Sequence, residues 1–139
     1  TLRRYRGNAG VTNVVELAFS VRQPMKELAV SMRARVLETL ALLASEEMQR
    51  EYQRAVPHVD VPAELFSQWE DCYFPEDIDF QSGFASAELA VLANFDKALN
   101  QVCDDTPQDL PALDEFLTTQ AWRTLSDAAR HALSAFSLA

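Results

Sequence analysis

The residues best spaced for chemistry lie between Asp77 and Glu88. In the run DIDFQSGFASAE, Asp77, Asp79 and Gln81 occupy positions 1, 3 and 5, and Glu88 occupies position 12. An EF-hand loop surrounds Ca²⁺ with oxygen ligands at these positions. A calcium-responsive interaction module is therefore one function to weigh for this chain.

The same run departs from a calcium loop at its sharp turn. An EF-hand requires glycine at position 6, where this chain has Ser82, and Gly83 follows one place too late. Phe80 also inserts a bulky ring between the ligands. We therefore expect an acidic loop over residues 74–85 that turns its three Phe and Ile78 inward, and we expect no metal and no cofactor.

Catalytic groups are sparse elsewhere in the chain. His58 and His131 have no second His or Cys at ligand spacing. Ser82 has neither a preceding strand nor a Gly two positions before it, so it does not form a nucleophile elbow. Cys72 and Cys103 lie on or beside apolar stripes and are expected to be small core residues. These patterns predict a protein that is not an enzyme.

Acidic and aromatic residues are interleaved from Trp69 to Asp79. Aromatic side chains among charges are typical of protein interfaces, because the rings supply binding energy and the rim charges guide the partner. We predict that this segment binds a partner protein, and the alternative is a solvated face without a partner. The predicted contact residues are Glu70, Asp71, Tyr73, Phe74, Glu76, Asp77 and Asp79.

Negative charge is concentrated in the middle of the chain. The 139 residues have a net charge of −9, and residues 60–115 contain fourteen acids and one base, Lys97. So acidic a surface repels phosphate backbones and anionic lipids, which predicts neither nucleic-acid nor membrane binding. The complementary partner is a basic protein. Two cysteines in a chain of this length are typical of reduced cytoplasmic thiols.

The elements that position these residues are predicted to be helices. Apolar residues recur every three or four positions, and the chain contains only three glycines. This pattern predicts an all-α fold, a compact bundle of five to six helices in a single domain over residues 1–139. Residues 1–12 either join it or form a flexible arm, and the oligomeric state is left open.

Capping and breaking residues predict where the helices begin and end. Trp69 and Trp122 lie on apolar stripes and are expected to anchor the core. The predicted helices are a short one from Asn13 to Pro24, a long one to Val56 with a break near Ser45, one from Asp60 stopped by Pro75, one capped by Ser86 that ends before Cys103, one opened by Asp109 to Pro111, and a last one through Trp122 after a bend at Thr118 and Thr119.

The order of motifs over residues 60–137 resembles a known family. A Trp-Glu-Asp-x-Tyr-x-Pro segment runs from Trp69 to Pro75, and a Ser-x-Glu-Leu helix start from Ser86 to Leu89. Later motifs are Phe95, Asp109 to Pro111, Phe116 to Thr118, and Trp122 before an Ala-rich closing helix. Together they resemble the small all-helical immunity proteins of bacterial polymorphic toxin and contact-dependent growth inhibition systems.

The resemblance implies a function by binding. An immunity protein of this kind is a cytoplasmic protein that binds the cognate toxin domain of its own system and blocks it, without catalysis. Many such toxins are nucleases, whose basic clefts suit an acidic inhibitor. The rival interpretations are an acidic helical adaptor with another basic partner, and the calcium-responsive module that uses the run from Asp77.

Overall fold

The fold is built from helices that follow the apolar stripes of the sequence. A computed structural model describes residues 23–106 and 110–137 of the chain. Within these ranges the chain is an all-α, compact single domain, with seven helices where five to six were expected. The helices are α1 (Gln23–Ala44), α2 (Glu46–Ala55), α3 (Val61–Cys72), α4 (Ile78–Ser82), α5 (Ser86–Asp105), α6 (Leu113–Phe116) and α7 (Gln120–Ser137). The predicted helix from Asn13 and the arm at residues 1–12 lie outside the described residues.

The break predicted near Ser45 separates α1 from α2. The Ser45 hydroxyl caps α2 by accepting a hydrogen bond from the Met48 backbone N–H at 3.1 Å. The break also changes which face of the new helix is buried. Met48 is 42% exposed, whereas its neighbour Gln49 is fully buried.

Buried polar groups stabilise the end of α1 at this break. The side-chain amide of Gln49 donates to the carbonyls of Leu42 at 2.9 Å and Leu43 at 3.2 Å. The hydroxyl of buried Ser126, on α7, donates to the Ala44 carbonyl at 3.2 Å. The last carbonyls of a helix have no partner within it, so these bonds give the Leu43 and Ala44 carbonyls a partner. The Leu42 carbonyl also accepts from the Ser45 N–H at 3.3 Å.

Local signals also predicted the start of α3 and the bend before α7. The Asp60 carboxylate caps α3 at the Ala63 N–H, with Pro62 in the first turn, as the sequence predicts. The bend between α6 and α7 falls at Thr118 and Thr119, as expected. The Thr119 hydroxyl accepts from the Trp122 N–H at 3.1 Å and so caps the first turn of α7.

Three boundary predictions are wrong. Ser86 is the first residue of α5 and not its cap, because the Glu88 carboxylate binds the Ala85 N–H at 2.8 Å instead. The same helix continues past Cys103 to Asp105. The segment predicted to open a helix at residues 109–111 reaches helical geometry only at Leu113, and Asp109 lies outside the described residues.

The core forms where α1 packs on α3, α4 and α7, and where α7 packs on α5. Val36, Leu40 and Leu43 of α1 are fully buried at its centre. Trp69 is fully buried and Trp122 is 8% exposed, which confirms both as core residues. Each indole N–H has a partner, Asp96 Oδ1 at 2.9 Å for Trp69 and Gln49 Oε1 at 2.9 Å for Trp122.

Candidate functional site

The predicted contact residues divide into surface and core groups. Glu70 and Glu76 are exposed, and Asp71, Phe74, Asp77 and Asp79 are partly buried. Tyr73, in contrast, is 5% exposed. Of the predicted contact residues, the structure therefore exposes Glu70 and Glu76 and buries Tyr73.

Tyr73 and Phe74 are held against the core. The Tyr73 ring stacks on Trp69 with centroids 4.8 Å apart and meets Phe80 edge to face at 5.7 Å. Phe74 contacts Phe80 at 6.5 Å and packs against the same core cluster. The expectation that Tyr73 offers its ring to a partner is therefore wrong. Tyr73 follows Trp69 by four residues and shares its buried face.

Asp77 has a structural task in the chain. Its carboxylate accepts from the Phe80 N–H at 3.0 Å and caps α4. The adjacent segment, expected to be a loop, thus contains a short helix. Asp71 differs from both groups, because one of its carboxylate oxygens is buried without a hydrogen-bond partner among the described residues.

Ile78 is the most exposed large apolar side chain reported for the described residues. It is 77% exposed, so the prediction that Ile78 points inward is wrong. Phe80 and Phe84 are buried as predicted, at 0% and 9% exposure. Residues two positions apart point to different sides of a helix, so burying Phe80 turns Ile78 toward solvent.

Ile78 lies between two acids in the sequence and projects from the first turn of α4. Glu76 is exposed, Asp79 is half-buried, and neither forms an ion pair with any residue in the described ranges. We call Glu76, Ile78 and Asp79 the acidic tip. It combines an apolar side chain with an acidic rim, the composition of a contact point for a basic partner.

A close backbone contact holds α4 against α1. A Cβ atom added to Gly83, at the end of α4, would lie 2.8 Å from the Ala29 carbonyl oxygen. Only a residue without a side chain therefore permits this approach. The short helix that bears Ile78 and Asp79 of the acidic tip therefore packs directly on α1, the longest of the described helices.

An ion pair clamps the same region. Arg33 binds both carboxylate oxygens of Glu88, at 2.8 and 2.9 Å, and donates to the Gly83 carbonyl at 3.0 Å. Its guanidinium also lies over the rings of Phe84 and Phe136, at 5.4 and 5.3 Å from their centroids. Arg33 thus ties α1 to the turn before α5 and to α7.

The clamp shifts the titration of its own groups. The hydrogen bond from Arg33 lowers the pKa of Glu88 below its ordinary value, against the opposing effect of burial. The same bond raises the pKa of Arg33. A bidentate pair between a guanidinium and a carboxylate is among the stronger charge-assisted contacts, so this clamp orders the turn behind the acidic tip.

The residues of the calcium-like run are used inside the fold. Asp77 caps α4, and Glu88, at position 12 of the run, binds Arg33 and the Ala85 N–H. Across residues 23–106 and 110–137, no three His, Cys, Asp or Glu side chains converge in a way that would hold a metal ion.

The two cysteines lie in different environments. Cys72 is buried, and desolvation raises the pKa of its thiol to about 11. Cys103 was expected in the core but is exposed. Partial desolvation, with the nearby charges of Glu70 and Asp104, raises the pKa of the Cys103 thiol. These acids of α3 and α5 form a second negative area beside Cys103.

Sequence reasoning missed Arg33, Gln49 and Glu88 as organising residues. Arg33 and Glu88 are 55 positions apart, and no local pattern joins them.

Within the described part of the chain, every helix is too short or too polar to span a bilayer. Comparison with known proteins identified no matching family model, no similar curated protein and no similar solved structure.

Proposed function

We propose that this chain is an immunity protein that binds and neutralises a cognate bacterial toxin domain through its acidic surface. The motif order that resembles immunity proteins supports this function, and so does the excess of acids in residues 60–115. On this proposal the protein acts in the bacterial cytoplasm by occlusion and has no catalysis of its own. The partner is a basic domain, and a nuclease is the class that best suits an acidic inhibitor.

The observation that carries the proposal is the exposure of Ile78 between two acids. Ile78 is 77% exposed, although Phe80 and Phe84 of the same segment are buried in the hydrophobic core. An exposed aliphatic side chain within an acidic rim fits a partner with an apolar socket surrounded by Lys or Arg. The aliphatic contact then slows dissociation of the complex, and the acids raise the association rate and favour a basic partner.

The support beneath the tip favours tight binding. Gly83 seats α4 on α1, and Arg33 clamps the turn that follows. A surface that is ordered before binding loses little conformational entropy when the partner arrives. Such preorganisation suits a protein whose only task is to block another.

Coexpression tests the proposal. The proposal predicts that a large secreted toxin is encoded beside this gene. The probe is the C-terminal domain of that toxin, produced in bacteria with and without the chain. We expect the wild-type chain to restore growth and to copurify with the domain. Glu76→Lys combined with Asp79→Lys, and separately Ile78→Asp, should each lose protection.

The control must carry the same charge change elsewhere. Glu47→Lys combined with Glu51→Lys alters two exposed acids of α2 that form no ion pair with any described residue. Asp77 and Glu46 are left intact, because they cap α4 and bind Arg50. Loss of protection by the α2 pair alone would place the interface elsewhere. A domain that binds the chain and remains toxic would favour the adaptor interpretation.

A further inference from the structure

A cleft lies at the opposite end of α3 from the acidic tip. It has a volume of about 760 Å³ and is bounded by α2, the turn that leads into α3, and residues 110–114. One side bears Arg50, Arg54 and His58, spaced four residues apart along the chain. Facing residues are apolar, including Leu110 and Pro111. A volume of this size is within the range of ligand sites in proteins.

Arg54 is the cation of this cleft that is left for a ligand. Arg50 is already bound to Asp114 at 2.6 Å and to Glu46 at 3.1 Å. Asp60, an acid of the same cleft, caps α3. Arg54 is exposed and forms no ion pair with any residue that the structure describes. The cleft therefore presents a positive charge beside an apolar wall.

The walls of the cleft are fixed by hydrogen bonds. The side-chain amide of Gln53 donates to the carbonyls of Val56 at 3.2 Å and Val59 at 2.9 Å, which holds the turn after α2. The Arg50–Asp114 pair holds the facing segment. The cleft is thus formed before any ligand enters, which lowers the entropic cost of binding.

The acidic tip has the chemistry that this cleft requires. Glu76, Ile78 and Asp79 combine an exposed aliphatic side chain with two acids, one two positions before it and one directly after it in the chain. In the cleft, Ile78 would contact the apolar wall at Leu110 and Pro111, and a carboxylate would reach Arg54. We propose that the acidic tip of one copy of this chain docks in the cleft of a second copy.

The placement of the two surfaces makes this contact intermolecular. Pro62, in the first turn of α3, lines the cleft, and the acidic tip follows the other end of the same helix. A helix of twelve residues is about 18 Å long, so each tip is held away from the cleft of its own chain. Two different surfaces then meet head to tail, a contact that builds rings or filaments.

Self-association depends only on the tip and the cleft and requires no toxin. Binding of the toxin and self-association would, however, use the same tip. A tip seated in a second copy is covered, so the toxin and the second copy compete for it.

Sedimentation velocity tests self-association of the full chain. We expect the sedimentation coefficient to rise between about 10 μM and about 1 mM protein, since one aliphatic contact and a few ion pairs give weak affinity. The rise should be reversed by about 0.5 M NaCl, which screens exposed charges. A chain that remains monomeric over this range at low salt overturns the proposal.

Complementation between variants tests the two surfaces. Arg54→Glu reverses the positive charge of the cleft, and Ile78→Asp replaces the aliphatic side chain of the tip. Both residues are exposed, so the helical circular dichroism spectrum should be unchanged. Each variant alone should sediment as a monomer. Their mixture retains one intact tip and one intact cleft, so it should form a dimer and no larger species.

The control is Arg123→Glu, an equal charge reversal at an exposed position of α7. It should associate like the wild type. If either surface variant alone also associates like the wild type, the contact uses other surfaces and the proposal is wrong. A mixture of the two variants that remains monomeric overturns it as well.

Discussion

The indole N–H of Trp122 donates to the side-chain oxygen of Gln49 at 2.9 Å, across 73 positions of the sequence. The amide of the same Gln49 bonds the carbonyls of Leu42 and Leu43. One buried glutamine therefore joins the end of α1, the start of α2 and the start of α7. Gln49 is therefore the common hydrogen-bond partner of the Trp122 indole and of two carbonyls beside the break at Ser45.

Gln49→Ala should destabilise the protein by about 2 to 4 kcal/mol, because it leaves the buried Trp122 N–H and the Leu43 carbonyl without the partner that Gln49 supplies. Urea unfolding followed by circular dichroism measures this loss. Gln101→Ala, on the exposed side of α5, should change the free energy of unfolding by less than about 0.5 kcal/mol.

Trp122→Ala should cost about 3 to 5 kcal/mol, the range for truncating a buried aromatic side chain. The two substitutions share one hydrogen bond, so the double variant should lose less than the sum of the single losses. Additive losses would show that the bond contributes nothing.

The Arg33–Glu88 clamp should contribute stability that depends on pH. The pKa of Glu88 is lowered from its ordinary value of 4.5 in the folded chain, chiefly by the hydrogen bond from Arg33. The unfolded state therefore takes up this proton first as the pH falls. The contribution of the clamp is complete above the unfolded pKa and is lost as the pH falls through the folded value.

Glu88→Gln should accordingly cost about 1 to 3 kcal/mol at pH 7, and the difference from the wild type should shrink in acid. Unfolding free energies measured from pH 7 down through the titration of Glu88 give the comparison. Asp127→Asn breaks an exposed pair with Arg130 and should cost less than about 1 kcal/mol at any pH. A constant cost for Glu88→Gln would contradict an ionic role.

Gly83→Ala should loosen the seat of α4 on α1. The new methyl group would lie 2.8 Å from a backbone oxygen, so one of the two helices must shift. We expect a loss of about 1 to 3 kcal/mol, the range for overpacking. Thermal unfolding measures it, and Ser82→Ala at the exposed neighbouring position is the matched control.

The sequence predicted features that depend on neighbours along the chain. Asp60 and Pro62 mark the start of α3 by chemistry that operates within one turn, and the structure has them there. The burial of Tyr73 was also within reach, since it lies four residues after Trp69 on one helical face. The surrounding acids favour the surface, but the spacing of four residues from Trp69 determines the burial of Tyr73.

Other features depend on contacts that no local pattern encodes. The Arg33–Glu88 pair forms only once α1 and the start of α5 are packed together. The prediction that Ile78 points inward depends on an irregular loop over residues 74–85. Once residues 78–82 form a helix, the burial of Phe80 fixes the outward direction of Ile78. Gln49 was hidden because the break at Ser45 shifts the buried face by one residue.

The two thiols should react at different rates. Cys103 is exposed, whereas Cys72 is buried with its pKa raised to about 11 by desolvation. Since the thiolate is the reacting form, a disulfide reagent at pH 8 should label one thiol of the folded chain and both after unfolding. Cys103→Ser should abolish the reaction of the folded chain. Rapid labelling of both thiols in the native protein would contradict the burial of Cys72.

On the proposed function, salt should act on the rate at which the chain binds its toxin. Long-range attraction between an acidic surface and a basic domain acts mainly on the association rate. Stopped-flow measurements with the neighbouring toxin domain should therefore show association slowing severalfold as NaCl is raised. The dissociation rate should change little.

The acidic tip allows the charge and the apolar contact to be separated. Glu76→Lys combined with Asp79→Lys reverses only rim charges, so it should lower the association rate and flatten its salt dependence. Ile78→Asp removes the aliphatic contact while keeping the surface acidic, so it should chiefly raise the dissociation rate, by about tenfold or more. If Ile78→Asp leaves dissociation unchanged, the partner does not contact this side chain. If salt acts equally on both rates, attraction is not what guides the encounter.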